Sequence, residues 1–163
     1  MQTDLPGALG VDYASDAEHR PLAGYAAISG AFAAALAAAL VSGRPLPERI
    51  DARDLLLAGV ATHKVSRLIA KDKVTSFLRA PFTRFQEPAG HGELEEAARG
   101  RGLRFATGEL LVCPYCLAQW VAGAFTVGYV HAPRVTRLLA TMWAMHAIAD
   151  ALQLAYAAAE ERG

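Results

Sequence analysis

The fold is decided by two stretches without a charged side chain, PLAGYAAISGAFAAALAAALVSG at residues 21–43 and LLVCPYCLAQWVAGAFTVGYVHAP at residues 110–133. A helix needs about 20 predominantly apolar residues to cross a bilayer core of about 30 Å. Both stretches reach that length, so the sequence predicts an integral membrane protein. We expect an all-α, multi-pass helical fold with three or four transmembrane helices.

The overall composition agrees with a membrane protein and argues against two other classes. The 163 residues include 16 basic and 16 acidic side chains, and the mean hydropathy is +0.21. This balance gives no electrostatic reason to expect nucleic acid as a partner. The two cysteines are too few for a secreted disulfide framework. Because residues 1–21 are acidic instead of basic, we interpret them as a polar tail before a retained Ala-rich transmembrane helix at 22–43.

The second apolar segment, residues 55–70, is ambiguous. It begins like a membrane span but carries His63, Lys64 and Arg67 toward its end. A charged side chain is expensive at the centre of a bilayer and much less so near its surface. We therefore favour a span with its basic end at the membrane surface over a helix lying in the interface.

The third and fourth spans are predicted at residues 110–131 and 138–159. The turn at 132–134 between them is short, which predicts that these last two helices form an antiparallel hairpin. Residues 71–109 form the long polar connection that precedes them. Its first part suits the headgroup boundary, and we expect the Gly- and Glu-rich part at 87–102 to be a solvated loop, with one short helix possible at 93–99.

The distribution of Lys and Arg orients the spans. Four spans with the N-terminus inside place nine basic residues on the inner side and five outside. Three spans, with residues 55–61 not spanning, place thirteen inside and three outside, with the N-terminus outside. Both arrangements predict an inner-membrane protein whose loop 71–109 and C-terminus are cytoplasmic. Cys113 and Cys116 then lie near the inner surface, where thiols stay reduced.

The motif Cys113-Pro114-Tyr115-Cys116 is compatible with three roles. It is spelled like a glutaredoxin active site, and in such thioredoxin-like chemistry a helix N-terminus lowers the pKa of the first thiol. The thioredoxin-like fold itself is excluded, since no βαβ pattern precedes the motif. Two thiolates at this spacing also make half of a zinc or iron site, although no histidine stands at a partner spacing. Structural packing is the role we favour.

A polar pair interrupts the last apolar segment. His146 and Asp150 are four residues apart and so share one face of a helix. An ionisable residue in a membrane span suggests a functional site, such as a proton relay or an ion site. We favour a structural role, in which Asp150 pairs with Arg67 or Lys64 of the second helix.

Three blocks of residues occur in a fixed order along the chain. They are Thr62-His63 to Arg67-Leu68-Ile69 with Asp72, Thr75, Arg79 and Pro81-Phe82; Gly108-Glu109-Leu110 with the cysteine motif and Trp120; and the last helix with Asp150. Together they resemble domain-of-unknown-function family 1360, small bacterial membrane proteins of which some are labelled sporulation-related. The resemblance implies a helical membrane domain at 54–159 without an assigned reaction, and the helix at 22–43 lies outside it.

The polar positions of this resemblance predict one cluster near the inner headgroup plane. Its expected members are His63, Arg67, Asp72, Arg79, Glu109, Cys113, Cys116 and Trp120. Such a cluster serves either as a polar clamp that pins the second and third helices together or as a binding site for a headgroup, an anion or a metal.

Three functions follow in order of preference. The first is a non-enzymatic assembly or scaffold component of the membrane with a polar clamp at its cytoplasmic face. The second is a thiol-redox or metal-binding membrane protein that uses Cys113 and Cys116. The third is a small transporter or proton-conducting protein that uses His146 and Asp150. The expected partners are the lipid bilayer and a membrane protein or second copy; we predict no cofactor, and the usual catalytic motifs are absent.

Overall fold

A computed structural model describes residues 20–42 and 44–162 of the chain. Residues 1–19 of the predicted polar tail lie outside this part. The elements are α1 Leu22–Leu40, α2 Ala52–Lys71, a 3-10 turn Lys73–Thr75, α3 Ser76–Arg79, β1 Thr83–Gly90, β2 Glu93–Ala98, α4 Gly102–Val112, α5 Pro114–His131 and α6 Pro133–Glu160.

Helices α2, α5 and α6 pack side by side. The start of α2 pairs with the start of α6 through Asp54 and Arg137, and Lys64 near its end pairs with Asp150, so α2 and α6 are parallel. Tyr129, near the end of α5, donates a hydrogen bond to the main-chain oxygen of Asp54 at 3.3 Å, so α5 runs the opposite way. Helices α5 and α6 are therefore antiparallel, as their short connection predicts.

Helix α1 lies against α4 and α5 and runs parallel to α5. Near its start Tyr25 donates a hydrogen bond to Glu109, and in its middle the rings of Phe32 and Trp120 meet at 5.1 Å between centroids. The first described residue, Arg20, also reaches Glu109 at 3.4 Å. The start of α1 is thus at the same end of the bundle as residues 71–109. The four-span arrangement expects the two at one end, and the three-span arrangement expects them on opposite sides.

The predicted third span is broken at Cys113. Helix α4 ends at Val112, α5 begins at Pro114, and their axes differ by 86°. Proline has no main-chain N–H to donate and disfavours the helical conformation in the residue before it, so the chain turns here and α5 starts with Pro114 as its first residue. The span expected over 110–131 is therefore a helix of 18 residues from Pro114, preceded by a separate helix across its end.

The polar connection contains a β-hairpin, which corrects both the all-α prediction and the expected loop with a short helix at 93–99. Strands β1 and β2 pair antiparallel, with Phe85 opposite Glu96. The turn at Gly90-His91-Gly92 has a positive φ at each residue, a conformation that glycine adopts without steric cost. Hairpin pairing also aims the glutamates of β2 at cations on α2 and α3.

The packing of the bundle places small and polar residues inside and large apolar ones outside. The buried apolar residues are mostly alanines: Ala61, Ala70, Ala106, Ala140 and Ala144, with Leu117 and Val121. By contrast Leu56 and Leu138 are each 70% exposed. Helices in membranes commonly pack through small residues, because lipid solvates the large side chains.

Two helices of the described residues, α1 and α6, are long and apolar enough to cross a membrane. The bent pair α4 and α5 makes a third candidate if it is counted as one broken span. Helix α2 is not among them, since its sequence carries Asp54, Lys64 and Arg67. By their length and composition these helices are candidate membrane spans, which suggests membrane association.

Candidate functional site

The main polar cluster joins strand β2 to the end of α2 and to α3, and we call it the hairpin clamp. It consists of three ion pairs: Arg67 with Glu93, Lys71 with Glu95, and Arg79 with Glu96. The first is bidentate, with both N–O distances at 2.7 Å. The clamp fixes the hairpin against the end of α2, since each glutamate of β2 takes its own cation.

Arg79 is the centre of the hairpin clamp and is completely buried. Its guanidinium donates to Glu96 at 2.6 Å, to the Ile69 carbonyl at 2.6 Å, to the Thr75 hydroxyl at 3.0 Å and to the Asp72 carbonyl at 3.1 Å. The partner carboxylate is only 5% exposed. A buried ion pair is tolerated only when its remaining donors and acceptors are also satisfied, which these carbonyls achieve.

The local fold positions the carbonyls of Ile69 and Asp72 beside the Arg79 guanidinium. Helix α2 ends at Lys71, and the Thr75 hydroxyl donates back to the Leu68 carbonyl at 2.6 Å, which closes the 3-10 turn over the helix end. The main-chain N–H of Lys73 donates to the Gly92 carbonyl at 2.8 Å and ties this turn to the hairpin. Asp72 takes part through its main-chain carbonyl.

The predicted single cluster is divided in the structure. Arg67, Asp72 and Arg79 belong to the hairpin clamp. Glu109 instead contacts Tyr25 of α1 and Arg20, which precedes α1. Trp120 contacts Phe32 of α1. The expected clamp between the second and third helices is therefore a clamp between α2 and the hairpin, while the start of the predicted third span is bound to α1. His63 is exposed on α2.

The two cysteines are joined in a disulfide, with Cα atoms 5.2 Å apart. The expectation of two reduced thiols is thus not the state that the structure shows. The turn before Pro114 brings the two side chains together, and the Cys116 main-chain N–H donates to the Cys113 sulfur at 3.1 Å. Tyr115, between the two cysteines, is 89% exposed.

Among the described residues, the two cysteines have no further side chains with which to form a metal site. Within residues 20–42 and 44–162, no group of three or more His, Cys, Asp and Glu side chains is placed to hold a metal ion. Cys113 and Cys116 are occupied with each other instead.

The polar pair of the last helix is separated into two contacts. Asp150 pairs with Lys64 of α2 at 2.5 Å, as the structural interpretation of this residue predicts. His146 packs edge-on against Trp143, with ring centroids 6.0 Å apart. The Lys64 side chain is 11% exposed and the Asp150 side chain 38%. The positive charge of α2 therefore lies inside the bundle and pairs with a carboxylate of α6.

We expect Lys64→Met to lower the free energy of unfolding by about 1–2 kcal/mol, because it leaves the Asp150 carboxylate unpaired in a partly apolar setting. The double variant Lys64→Met with Asp150→Leu is expected to recover most of that loss. Thermal unfolding in a mild detergent measures both effects. Gln153→Leu on an exposed position of α6 is the control and is expected to change stability by less than about 0.5 kcal/mol.

A different result would favour the transport function. If Asp150→Asn leaves assembly and stability unchanged but abolishes a proton flux into vesicles, the structural role of the pair is wrong. The Lys64 contact argues against that result, since the carboxylate already has a cationic partner.

Sequence reasoning missed the acidic half of the hairpin clamp and a second ion pair at the opposite end of the bundle. Glu93, Glu95 and Glu96 were assigned to a solvated segment. Asp54 accepts from Arg137 with both carboxylate oxygens at 2.9 Å and is itself buried. The available signal is the glycine-flanked turn at 90–92, which is typical of a hairpin.

Comparison with known proteins gives a family and two relatives. The family described as "Protein of unknown function (DUF1360)" matches residues 56–156. "Sporulation protein YjcA" of Bacillus subtilis (strain 168) is 26% identical over 107 residues, which cover 64% of this chain and 91% of that protein. "UPF0713 protein YngL" of the same organism is 26% identical over 91 residues, 54% of this chain and 66% of that protein. No solved structure gives a significant match.

The matched range begins within α2 and ends within α6. It therefore contains the whole hairpin clamp, the cysteine motif and the Lys64–Asp150 pair. Helix α1 lies outside the match, as the resemblance in the sequence predicts.

Proposed function

We propose, from the premise that this chain belongs to the DUF1360 family of proteins of unknown function, that it is an assembly or scaffold component of the inner membrane. The observation that supports the proposal is that the buried polar and charged side chains already have partners within the chain. In the part of the chain that the structure describes, every buried side-chain nitrogen and oxygen has a hydrogen-bond partner. The three cations of the hairpin clamp are all engaged by carboxylates of the same chain, an arrangement suited to holding a shape.

We propose further that α1, α2, α5 and α6 each cross the bilayer. They alternate in direction and bury alanines while exposing leucines, as lipid-solvated bundles do. Lys64 supports the inclusion of α2, because it faces Asp150 of a neighbouring helix. With nine basic residues at the hairpin end and five at the other, the positive-inside rule assigns the hairpin and both termini to the cytoplasm.

The scaffold role requires that the chain assemble with a second copy or another membrane protein. Native mass spectrometry of the protein released directly from its own membranes tests this, because one chain has a mass of 17.3 kDa. We expect a species heavier than one chain. A population consisting only of single chains would contradict the proposal.

The dependence of this assembly on the hairpin clamp is tested by Arg67→Gln. The variant loses the bidentate contact with Glu93 but keeps the buried Arg79–Glu96 pair, so the fold persists. We expect the assembled fraction to fall about two- to fivefold, the range for a partly exposed ion pair. Arg84→Gln on exposed strand β1 is the matched control and is expected to assemble like the wild type. If the assembled fraction falls equally in the two variants, assembly does not depend on the hairpin clamp.

A further inference from the structure

We propose that the Cys113–Cys116 disulfide is redox-active and exchanges with external thiols through Cys116. This inference adds an activity to the scaffold role and does not rest on it. It is carried by three features of the elbow between α4 and α5: a disulfide at a helix start, unequal exposure of its two cysteine residues, and a groove that one of them lines.

The helix start favours Cys113 as the leaving thiolate. Cys113 stands immediately before α5, and its sulfur accepts the main-chain N–H of Cys116 at 3.1 Å. The N-terminus of a helix carries partial positive charge from its unpaired N–H groups. A thiolate at this position is stabilised, and a more stable thiolate leaves faster in thiol–disulfide exchange.

Access favours Cys116 as the sulfur that is attacked. Cys116 is exposed, whereas Cys113 is only partly so. A groove of about 380 Å³ between α1, α4 and α5 is lined by Cys116 and has Phe32, Leu110 and Trp120 among its walls. A thiol that enters this groove meets Cys116.

The exchange balances as follows. A substrate thiolate attacks the Cys116 sulfur and forms a mixed disulfide, while the bond between Cys116 and Cys113 breaks and its electron pair leaves on the Cys113 sulfur. The second thiolate of a dithiol substrate then attacks the substrate sulfur of the mixed disulfide and releases Cys116 as a thiolate. The substrate is oxidised to a disulfide, and the two cysteines gain two electrons and two protons. A disulfide substrate runs the same steps in reverse, through the same adduct on Cys116.

The walls of the groove define the substrate class. They are apolar except for Glu109, Ser29, Gln119 and the Tyr25 hydroxyl, and the Glu109 carboxylate is paired with Arg20. We therefore expect thiols with apolar surroundings to be preferred over anionic ones. Disulfides on the cytoplasmic side of a membrane are as a rule transient and catalytic or redox-sensing, which agrees with an exchanging pair.

The test is to trap the mixed disulfide on the oxidised full chain in mild detergent. Glutathione is added, the reaction is quenched with N-ethylmaleimide, and tandem mass spectrometry locates both labels. We expect glutathione on Cys116 and maleimide on Cys113 in about tenfold excess over the reverse arrangement, given the difference in leaving group and access. Cys113→Ser and Cys116→Ser supply reference spectra for each adduct.

Two results would overturn the proposal. Glutathione found mainly on Cys113 would reverse the assigned roles. A disulfide that stays intact both in glutathione and in neutral 2-mercaptoethanol, while the thermal unfolding of the protein shows that it is folded, would make the pair structural, since structural disulfides resist reduction by such thiols. The role of the groove is tested by the rates at which neutral 2-mercaptoethanol and anionic 3-mercaptopropionate reduce the disulfide. Relative to an unstructured CPYC peptide disulfide, we expect the protein to favour the neutral thiol about threefold. The same ratio of rates in the protein and in the peptide would contradict the role of the groove.

Discussion

Replacing Arg79 with alanine is expected to lower the free energy of unfolding by about 3–5 kcal/mol, the range for removing one partner of a buried ion pair. The guanidinium is 0% exposed, and Glu96 beside it is 5% exposed. Without Arg79 this carboxylate stays buried with only the Thr83 hydroxyl to donate to it, at 3.2 Å. The carbonyls of Ile69 and Asp72 lose a donor at the same time.

The partner variant distinguishes an ion pair from simple packing. Arg79→Met combined with Glu96→Leu removes both charges and keeps much of the volume, so it is expected to recover most of the stability lost by Arg79→Ala. Thermal unfolding in mild detergent compares the three proteins. If the double variant is as unstable as the single one, the loss comes from packing and the hydrogen bonds to the carbonyls. If Arg79→Ala unfolds like the wild type, the buried position of Arg79 is wrong.

Gly108→Ala is expected to destabilise the protein by about 2–3 kcal/mol, as overpacking of a tight contact does. A Cβ at this position would lie 2.6 Å from the Phe82 carbonyl oxygen and 2.9 Å from the Ala98 Cβ. The first of these is main chain and belongs to the segment that holds the hairpin, so it has no flexible side chain to move. Helix α4 would be pushed away from the hairpin.

The same substitution elsewhere is the matched control. Gly30 in α1 and Gly59 in α2 have nothing within 4 Å of a built Cβ. Alanine favours a helix over glycine by about 1 kcal/mol, so Gly30→Ala and Gly59→Ala are expected to be neutral or stabilising. Unfolding midpoints of the three variants in one detergent give the comparison. A stable Gly108→Ala protein would show that α4 does not pack on the hairpin this closely.

Local sequence predicts the helices that can be recognised from their own amino-acid composition. Helix α1 follows from its uncharged length and helix α6 from a long apolar segment interrupted by Asp150, and the antiparallel order of α5 and α6 follows from a connection of one residue, Ala132. The break at Cys113 had a local signal in Pro114, but the uninterrupted apolar pattern on both sides indicated one helix. In this case the loss of a main-chain donor outweighs hydrophobic continuity.

The hairpin clamp was beyond local reasoning because its partners are far apart in the chain. Arg67 and Glu93 are separated by 26 residues, and Lys71 and Glu95 by 24. Glu93–Ala98 has the composition of a solvated helix, and only pairing with β1 and the cations of α2 makes a strand the better choice. Of the three cations, Arg67 and Arg79 belong to the cluster expected from the sequence and Lys71 does not; the acidic half required the tertiary fold.

The right angle at Cys113 makes the cysteine motif a pivot with two long arms. At about 1.5 Å per residue, the 11 residues of α4 extend about 16 Å to one side and the 18 residues of α5 about 27 Å to the other. A change of about 10° at this pivot moves the far end of α4 by about 3 Å, a sizeable displacement for packed elements. Only residues 99–101 join that end of α4 to β2, so a rotation of α4 about the two sulfurs would displace the hairpin as well.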